Sequence, residues 1–174
     1  MDNLSDLISK AQKGDKDAYG EIYNLFYKRI YRYCSFNTRK AEVAQDICQE
    51  TFIKAWKALP SFSQKGGSFQ AYLFKIARNL IIDLSRKKKE ERLEQYQEIE
   101  IESQVEDKIE QREKEAVVQL ALAKLDELDR QIIILHYFED MTGREVAKVV
   151  GIREGNLRVK THRALKKLKS LLEK

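Results

Sequence analysis

Residues 142–172, TGREVAKVVGIREGNLRVKTHRALKKLKSLL, decide how this chain folds. Thr142 with Glu145 three residues on is a capping box, and it starts a helix that runs through Val150. Gly151-Ile152-Arg153-Glu154 reads as a tight turn, and a last helix extends from about Glu154 to Leu172. Ala147 is small enough to lie where two helices cross, and Gly151 gives the turn its backbone freedom. Val146, Val150, Ile152 and Leu157 supply the apolar contacts between the helices. Six constrained positions agreeing in this order make a helix-turn-helix. On the final helix Leu157, Ala164, Leu165, Leu168 and Leu172 face inward, which leaves Arg158, Val159, His162, Arg163 and Lys166 projecting. In a helix-turn-helix those positions enter the major groove, where Arg makes bidentate bonds to guanine and Lys neutralises phosphate. From Met141 to the end there are ten bases and three acids, a net charge of +7. A solvated cationic helix shares that charge but not the turn in front of it.

Moving upstream, Val117, Leu120, Ala121, Leu125 and Leu128 predict one helix, and Arg130 to Phe138 a second. Residues 90–115 differ in character, with eleven acids against four bases, a net of −7. Their few large apolar residues predict a linker, partly helical, whose acidity disfavours nonspecific contact with nucleic acid. A domain boundary falls there.

Composition supports helices throughout. The 174 residues are 35% charged and 43% hydrophobic, with one Pro and seven Gly, too few breakers for the turns that a strand-rich fold needs. The net charge of +5 is moderate, so its placement matters more than its sum. Cys34 and Cys48 lie among apolar neighbours with no metal-ligand spacing, as buried thiols of a reducing cytosol do. No basic region leads into an apolar run at the N-terminus and no segment has membrane-spanning length, so a cytoplasmic protein is expected. No nucleophile is set beside a base and there is no glycine-rich phosphate loop. The sequence therefore gives no reason to expect an enzyme, a metal or a cofactor.

In the first half, a short helix from Asn3 ends at Gly14, and Asp15 or Asp17 caps the next. From Ala18 to Phe36 apolar residues recur through Ile22, Leu25, Phe26, Ile30, Tyr33 and Cys34, with Tyr19, Tyr23, Tyr27 and Tyr31 four apart on an adjoining stripe that reads as packing between helices. A helix from about Lys40 to Leu59 is stopped by Pro60 and turns Ala44, Ile47, Cys48, Thr51, Phe52, Ala55 and Leu59 to a core. Its other side lines up Glu42, Asp46, Gln49, Ile53 and Trp56, flanked by Glu50. An exposed Ile and Trp among acids suit docking to a basic partner helix or a second buried edge of the same bundle.

Residues 61–68, SFSQKGGS, form the most loop-like stretch and lead into FQAYLFKIARNLIIDLSRKKK, residues 69–89. On a helix, Phe69, Leu73, Ile76, Ala77, Leu80 and Leu84 share an apolar sector, while Tyr72, Lys75, Asn79, Asp83 and Arg86 form a polar stripe ending in Arg86-Lys87-Lys88-Lys89. An aromatic ring, an amide and cations on one rod suit unpaired bases and phosphates. An ordinary amphipathic helix shows the same period, so the neighbouring segments decide between them.

Taken together the halves resemble a bacterial RNA polymerase sigma factor of the extracytoplasmic-function group, group 4 of the sigma-70 family. Asp46-Ile47-Cys48-Gln49-Glu50-Thr51-Phe52 resembles the segment that binds the clamp helices of the polymerase's largest catalytic subunit. Residues 69–89 resemble the segment that melts and reads the minus-10 element. Leu128-Asp129-Arg130, Tyr137-Phe138-Glu139-Asp140 and the helix-turn-helix resemble the domain that reads the minus-35 element. The resemblance implies an all-α chain of two small domains. Residues 1–89 would dock, read and melt, 90–115 would be the linker, and 116–174 would read the minus-35 element. It implies polymerase contacts at Asp46, Gln49, Glu50, Phe52 and Ile53. It implies minus-10 contacts at Phe62, Tyr72, Lys75, Asn79, Asp83, Arg86, Lys87 and Lys88, and minus-35 contacts at His136, Arg158, Val159, His162, Arg163 and Lys166. The implied partners are core RNA polymerase, including the flap of its other large subunit, promoter DNA and an anti-sigma factor. Tyr72 stands where the family often has Trp, His136 where it often has Arg, and Asp126 where Pro commonly begins the domain. The competing reading is a free-standing helix-turn-helix regulator whose first half dimerises or senses a signal.

Overall fold

Asp15 shows how closely local chemistry sets the elements: its carboxylate accepts from the backbone N–H groups of Asp17 and Ala18, both at 3.0 Å, and the second helix starts there. The computed structural model describes residues 2–38, 40–92 and 109–173. Eight α-helices are described: α1 (Asp2–Gln12), α2 (Lys16–Asn37), α3 (Ala41–Ala58), α4 (Phe69–Arg92), α5 (Ile109–Ala123), α6 (Glu127–Ile133), α7 (Gly143–Val150) and α8 (Glu154–Leu172), with no strand among the described residues. The predicted linker is therefore helical at both margins, and its residues 93–108 lie outside those described.

Helices α1 to α4 bundle around Ile22, Phe26, Ile30, Tyr33 and Cys34 of α2, the inner face of α3, and Phe69, Leu73, Phe74, Ala77 and Ile81 of α4. All seven residues expected on the inner face of α3 are buried. Thr51 sits among them because its hydroxyl donates to the Ile47 carbonyl at 2.7 Å, leaving no unmet polar group. Both thiols are buried. Burial pushes the Cys48 thiol up to about 12 and raises the Cys34 thiol as well, which disfavours the thiolate at both. The tyrosine stripe packs at the α2–α3 margin, with Tyr23 4.7 Å from Phe52 and Tyr19 4.7 Å from Trp56, ring centre to ring centre.

Two predicted faces need correction. Leu25 is exposed rather than part of the α2 core. On α4 the buried stripe is wider than predicted: Ala71, Phe74 and Ile81 are fully buried, whereas Ile76, Leu80 and Leu84 are only half-buried. Single-helix periodicity assumes one neighbour, but α4 is covered by α2 and α3 on one flank and by α7 on another.

In the second half the predicted helix through Leu128 breaks instead at Lys124–Asp126. That puts Leu125 in the turn and Leu128 on α6, with Val117, Leu120 and Leu172 exposed. The predicted Arg130–Phe138 helix begins at Glu127 and closes as a π-helical turn, Ile134–Phe138. Gln131 to Leu135 are all buried, which a helix permits only when covered all round. Helices α7 and α8 cover one side and α2 the other, so the two halves of the chain pack against each other. The capping box is present as expected, with Glu145 bonded to the Thr142 N–H at 3.0 Å and hydroxyl at 2.8 Å. Gly151 ends α7 at φ 75°, in the left-handed region.

Candidate functional site

Three faces carry the residues singled out by sequence. The first is the outer side of α3, where Glu42, Asp46, Gln49 and Ile53 are exposed in one row, Ile53 at 47% of its full accessibility. Glu50 is half-buried and lies 3.8 Å from Lys54. Trp56 is half-buried against Tyr19, whose hydroxyl donates to the Phe52 carbonyl at 2.6 Å and is pushed up by burial. Phe52, expected at the polymerase contact, is instead 4% exposed and packed on Tyr23. Its ring belongs to the core, because residue 52 falls on the Cys48–Ala55 stripe rather than the Asp46–Ile53 one.

The second face is α4 with the loop before it. Ser68 caps the helix, its hydroxyl accepting from the Ala71 N–H at 3.2 Å. Lys75, Asn79, Asp83, Arg86 and Lys87 are exposed along one side, as the stripe predicted, with Arg86 3.8 Å from Asp83. The side chain of Lys88 lies outside the described residues. Phe62 and Tyr72 differ from freestanding stacking platforms. Their rings are 4.8 Å apart, both touch Phe69, and the Tyr72 hydroxyl donates to the Ala55 carbonyl at 3.3 Å. Each presents only part of its surface, since helix-start aromatics close the lid of the bundle as well as facing outward. The loop is two 3-10 turns, Leu59–Ser61 and Gln64–Gly66, rather than open coil. It is anchored from α1, where the Gln12 amide donates to the carbonyls of Leu59 at 3.1 Å and Phe62 at 2.8 Å.

The third face is α8. Arg158, Val159, His162, Arg163 and Lys166 are all exposed, Val159 at 52%. Of these, Arg158 and His162 border an open groove of about 570 Å³ lined also by His136, Tyr137 and Thr161. His136 is half-buried and its Nδ1 lies 2.8 Å from the Met141 carbonyl. A carbonyl only accepts, so Nδ1 carries the hydrogen, and Nε2 is a donor to phosphate only in the doubly protonated ring. Asp126, at the start of α6, pairs with Lys167 of α8 at 3.1 Å.

Sequence reasoning missed the junction between the halves. Glu139 is fully buried, and its carboxylate receives Nε of Arg29 at 3.0 Å on one oxygen and Nε of Arg32 at 2.9 Å on the other. The same guanidinium groups donate to the backbone carbonyls of Glu139 and Phe138. Gln70 donates to the Glu139 carbonyl at 3.2 Å, and Arg78 to the buried Gln131 side chain at 2.8 Å. Beside it α7 grips the loop: Lys148 donates to the Gly66 carbonyl at 3.1 Å and the Ser68 hydroxyl to Glu145. Burial alone would raise Glu145. Hydrogen bonds from Ser68 and Thr142 outweigh it and hold the carboxyl below its ordinary range. No local pattern announces the Arg29–Glu139 contact, because its partners are 110 residues apart.

Comparison with known proteins follows the same division. The model of Sigma-70 region 2 matches residues 22–91, and that of Sigma-70, region 4 matches residues 115–168. ECF RNA polymerase sigma factor SigW of Bacillus subtilis (strain 168) is 30% identical over an alignment covering 95% of this chain and 94% of SigW. ECF RNA polymerase sigma factor BldN of Streptomyces coelicolor is 29% identical, with 97% of this chain aligned to 66% of that longer protein. Among solved structures, CnrH in complex with the cytosolic domain of CnrY superposes with a TM-score of 0.75 at 27% identity, covering 96% of this chain and 95% of that one. RpoE in complex with the anti-sigma factor NepR from Bartonella quintana gives 0.74 at 24% identity, covering 89% and 96%, a likeness of fold.

Proposed function

The chain belongs to the extracytoplasmic-function group of RNA polymerase sigma factors, and on that premise we propose which of its surfaces does which part of the work. It is an alternative sigma factor that directs promoter-specific transcription initiation. In this assignment residues 1–89 dock and melt, 90–115 join the halves, and 116–174 read the upstream element. Docking falls on Asp46, Gln49, Glu50 and Ile53 of α3, which offer acids around one apolar side chain to the clamp helices of the largest polymerase subunit. Lys75, Asn79 and Asp83 face the separated minus-10 strand, with the exposed edges of Phe62 and Tyr72 as stacking surface and Arg86 to Lys88 on the backbone. Flipping a base costs a few kcal/mol, which stacking and hydrogen bonds there offset. Arg158, Val159, His162, Arg163 and Lys166 enter the minus-35 major groove, with His136 at its margin.

The observation that carries this reading is that an acidic-apolar face, a polar single-strand face and a cationic reading helix sit on separate elements of one chain aligned nearly end to end with SigW. The polymerase supplies the chemistry and its flap a second foothold, so the chain acts in the cytoplasm beside it. No helix among the described residues is long and apolar enough to cross a membrane. An inhibitory protein partner belongs to the same reading, since CnrH was solved with part of CnrY bound. The test is transcription with core polymerase on genomic DNA fragments. Defined start sites are expected, and Asp46→Ala with Gln49→Ala should abolish them along with polymerase binding while leaving the helical spectrum intact. A double variant that still binds polymerase fully would sink the docking face. Absence of any defined start would sink the whole assignment and favour a free-standing regulator.

A further inference from the structure

The buried carboxylate of Glu139 sits in a fork of two guanidinium groups, Arg29 and Arg32, and at the same junction between the halves a third arginine, Arg78 of α4, bonds the Gln131 side chain. Planar, bidentate arginine pairs recognise carboxylate and phosphate alike. Gln70 of α4 bonds the Glu139 carbonyl, and Arg78 further along the same helix lies next to the exposed Lys75–Asn79 row, so the junction adjoins the face assigned to nucleic acid. We propose that Arg29, Arg32 and Arg78 form a second, masked binding site for the phosphodiester backbone, and that Glu139 is its internal occupant. Closing the two halves and binding DNA at this site then exclude each other. This inference rests on the reading of the chain as a DNA-binding initiation factor and adds to it a site outside the three faces above.

Dimensions require that the site be uncovered at a promoter. Elements at minus 10 and minus 35 lie roughly 25 base pairs apart, about 85 Å along duplex at one turn per ~35 Å. A compact chain of 174 residues is only about 40 Å across by the usual size scaling. The closed form cannot reach both elements. Sixteen residues separate Arg92 from Ile109, and fully extended they span at most ~55 Å. Added to the two bodies, that reach is enough. Opening removes Glu139 and the carbonyls of Phe138 and Glu139 from Arg29 and Arg32, removes Gln131 from Arg78, and frees Gly66 and Ser68 from α7. Backbone phosphate restores the lost charge-assisted bonds. In the free chain the closed form lowers apparent DNA affinity by the fraction of molecules that are open.

The test measures binding of the full chain, without polymerase, to a short duplex of arbitrary sequence over a salt series, with fluorophores on α3 and α8 reporting the separation of the halves. Glu139→Gln keeps the side chain's shape but removes its charge. It should lengthen the separation and tighten binding by about tenfold. Adding Arg29→Ala and Arg32→Ala should abolish that gain and flatten the salt dependence by about 2 in log–log slope, the share of two phosphates. Arg29→Lys with Arg32→Lys should retain most of the slope. The wild-type chain serves as a second arm, since excess duplex should itself lengthen the separation. If Glu139→Gln opens the chain without tightening binding, or if removing the arginines leaves the slope unchanged, the phosphate site is overturned. If duplex leaves the wild-type separation unchanged, mutual exclusion is overturned. Promoter-specific starts with no gain from Glu139→Gln would keep the functional reading and reject this site. A gain without promoter-specific starts would do the reverse.

Discussion

Replacing glycine by alanine should have opposite signs at two positions of this chain, although both offer open space. At Gly20 and at Gly151 an added Cβ meets nothing within 4 Å, so neither substitution has a steric term and only the backbone decides. Gly20 lies inside α2, where alanine lowers the entropy of the unfolded chain and favours helix. Gly20→Ala should stabilise by about 0.5–1 kcal/mol. Gly151 holds φ at +75°, where a Cβ crowds the adjoining carbonyl, and Gly151→Ala should destabilise by about 1–2 kcal/mol. At about 2–4 °C per kcal/mol for a chain of this size, the melting temperature should rise by roughly 1–4 °C in the first case and fall by roughly 2–8 °C in the second. Gly151→Asn should recover part of the loss, because asparagine tolerates the left-handed region. Thermal unfolding followed by circular dichroism reads all three. A Gly151→Ala chain as stable as the parent would refute the backbone assignment of the turn, and with it the seat of the reading helix. A destabilised Gly20→Ala chain would show that α2 carries a constraint that its open Cβ position does not reveal.

The Tyr33 hydroxyl is buried with no hydrogen-bond partner among the described residues, so Tyr33→Phe should raise stability by about 1–3 kcal/mol, read by urea denaturation. A loss would mean that the hydroxyl has a partner, such as a bound water. Glu145 titrates below its ordinary value of 4.5, so it binds fewer protons folded than unfolded near that pH. Its contribution is present above 4.5 and lost as the pH falls through the lower, folded-state value. Wild type should therefore lose its stability advantage over Glu145→Gln on acidification, and a pH-independent difference would count against the carboxylate bonds to Ser68 and Thr142. Arg163→Ala should weaken minus-35 binding by about 1–3 kcal/mol and change the preferred base at one position. Equal loss on every sequence would assign Arg163 to phosphate instead.

Much of this fold was legible because the signals were local. Asp15, the Thr142–Glu145 box, Pro60 and Gly151 act on backbone within a few residues, and each marks a helix end where expected. Periodicity placed the inner face of α3 correctly, since one bundle covers one side of that helix. It erred where a second neighbour intervened: Phe74 and Ile81 of α4 are buried because α4 is packed on two flanks. The resemblance names a whole segment, while the helix turns every residue of it to a different side, and Phe52 of that segment faces the core. The arginine fork was illegible altogether. A charged side chain reads as solvated unless its partner is known, and this partner comes from the other end of the chain.

The sequence distance spanned by the Arg29–Glu139 contact also sets a timetable for synthesis. Everything needed to fold α1 to α4 has been made once Arg92 has left the ribosome, and the Gln12–Phe62 bond closes within that portion. Glu139 follows 47 residues later, roughly 2–9 s at ordinary elongation rates. For that interval the arginine fork exists without the carboxylate that covers it. Each copy therefore passes once, before translation has finished, through a state with the arginine fork uncovered, which mature copies must reopen to regain.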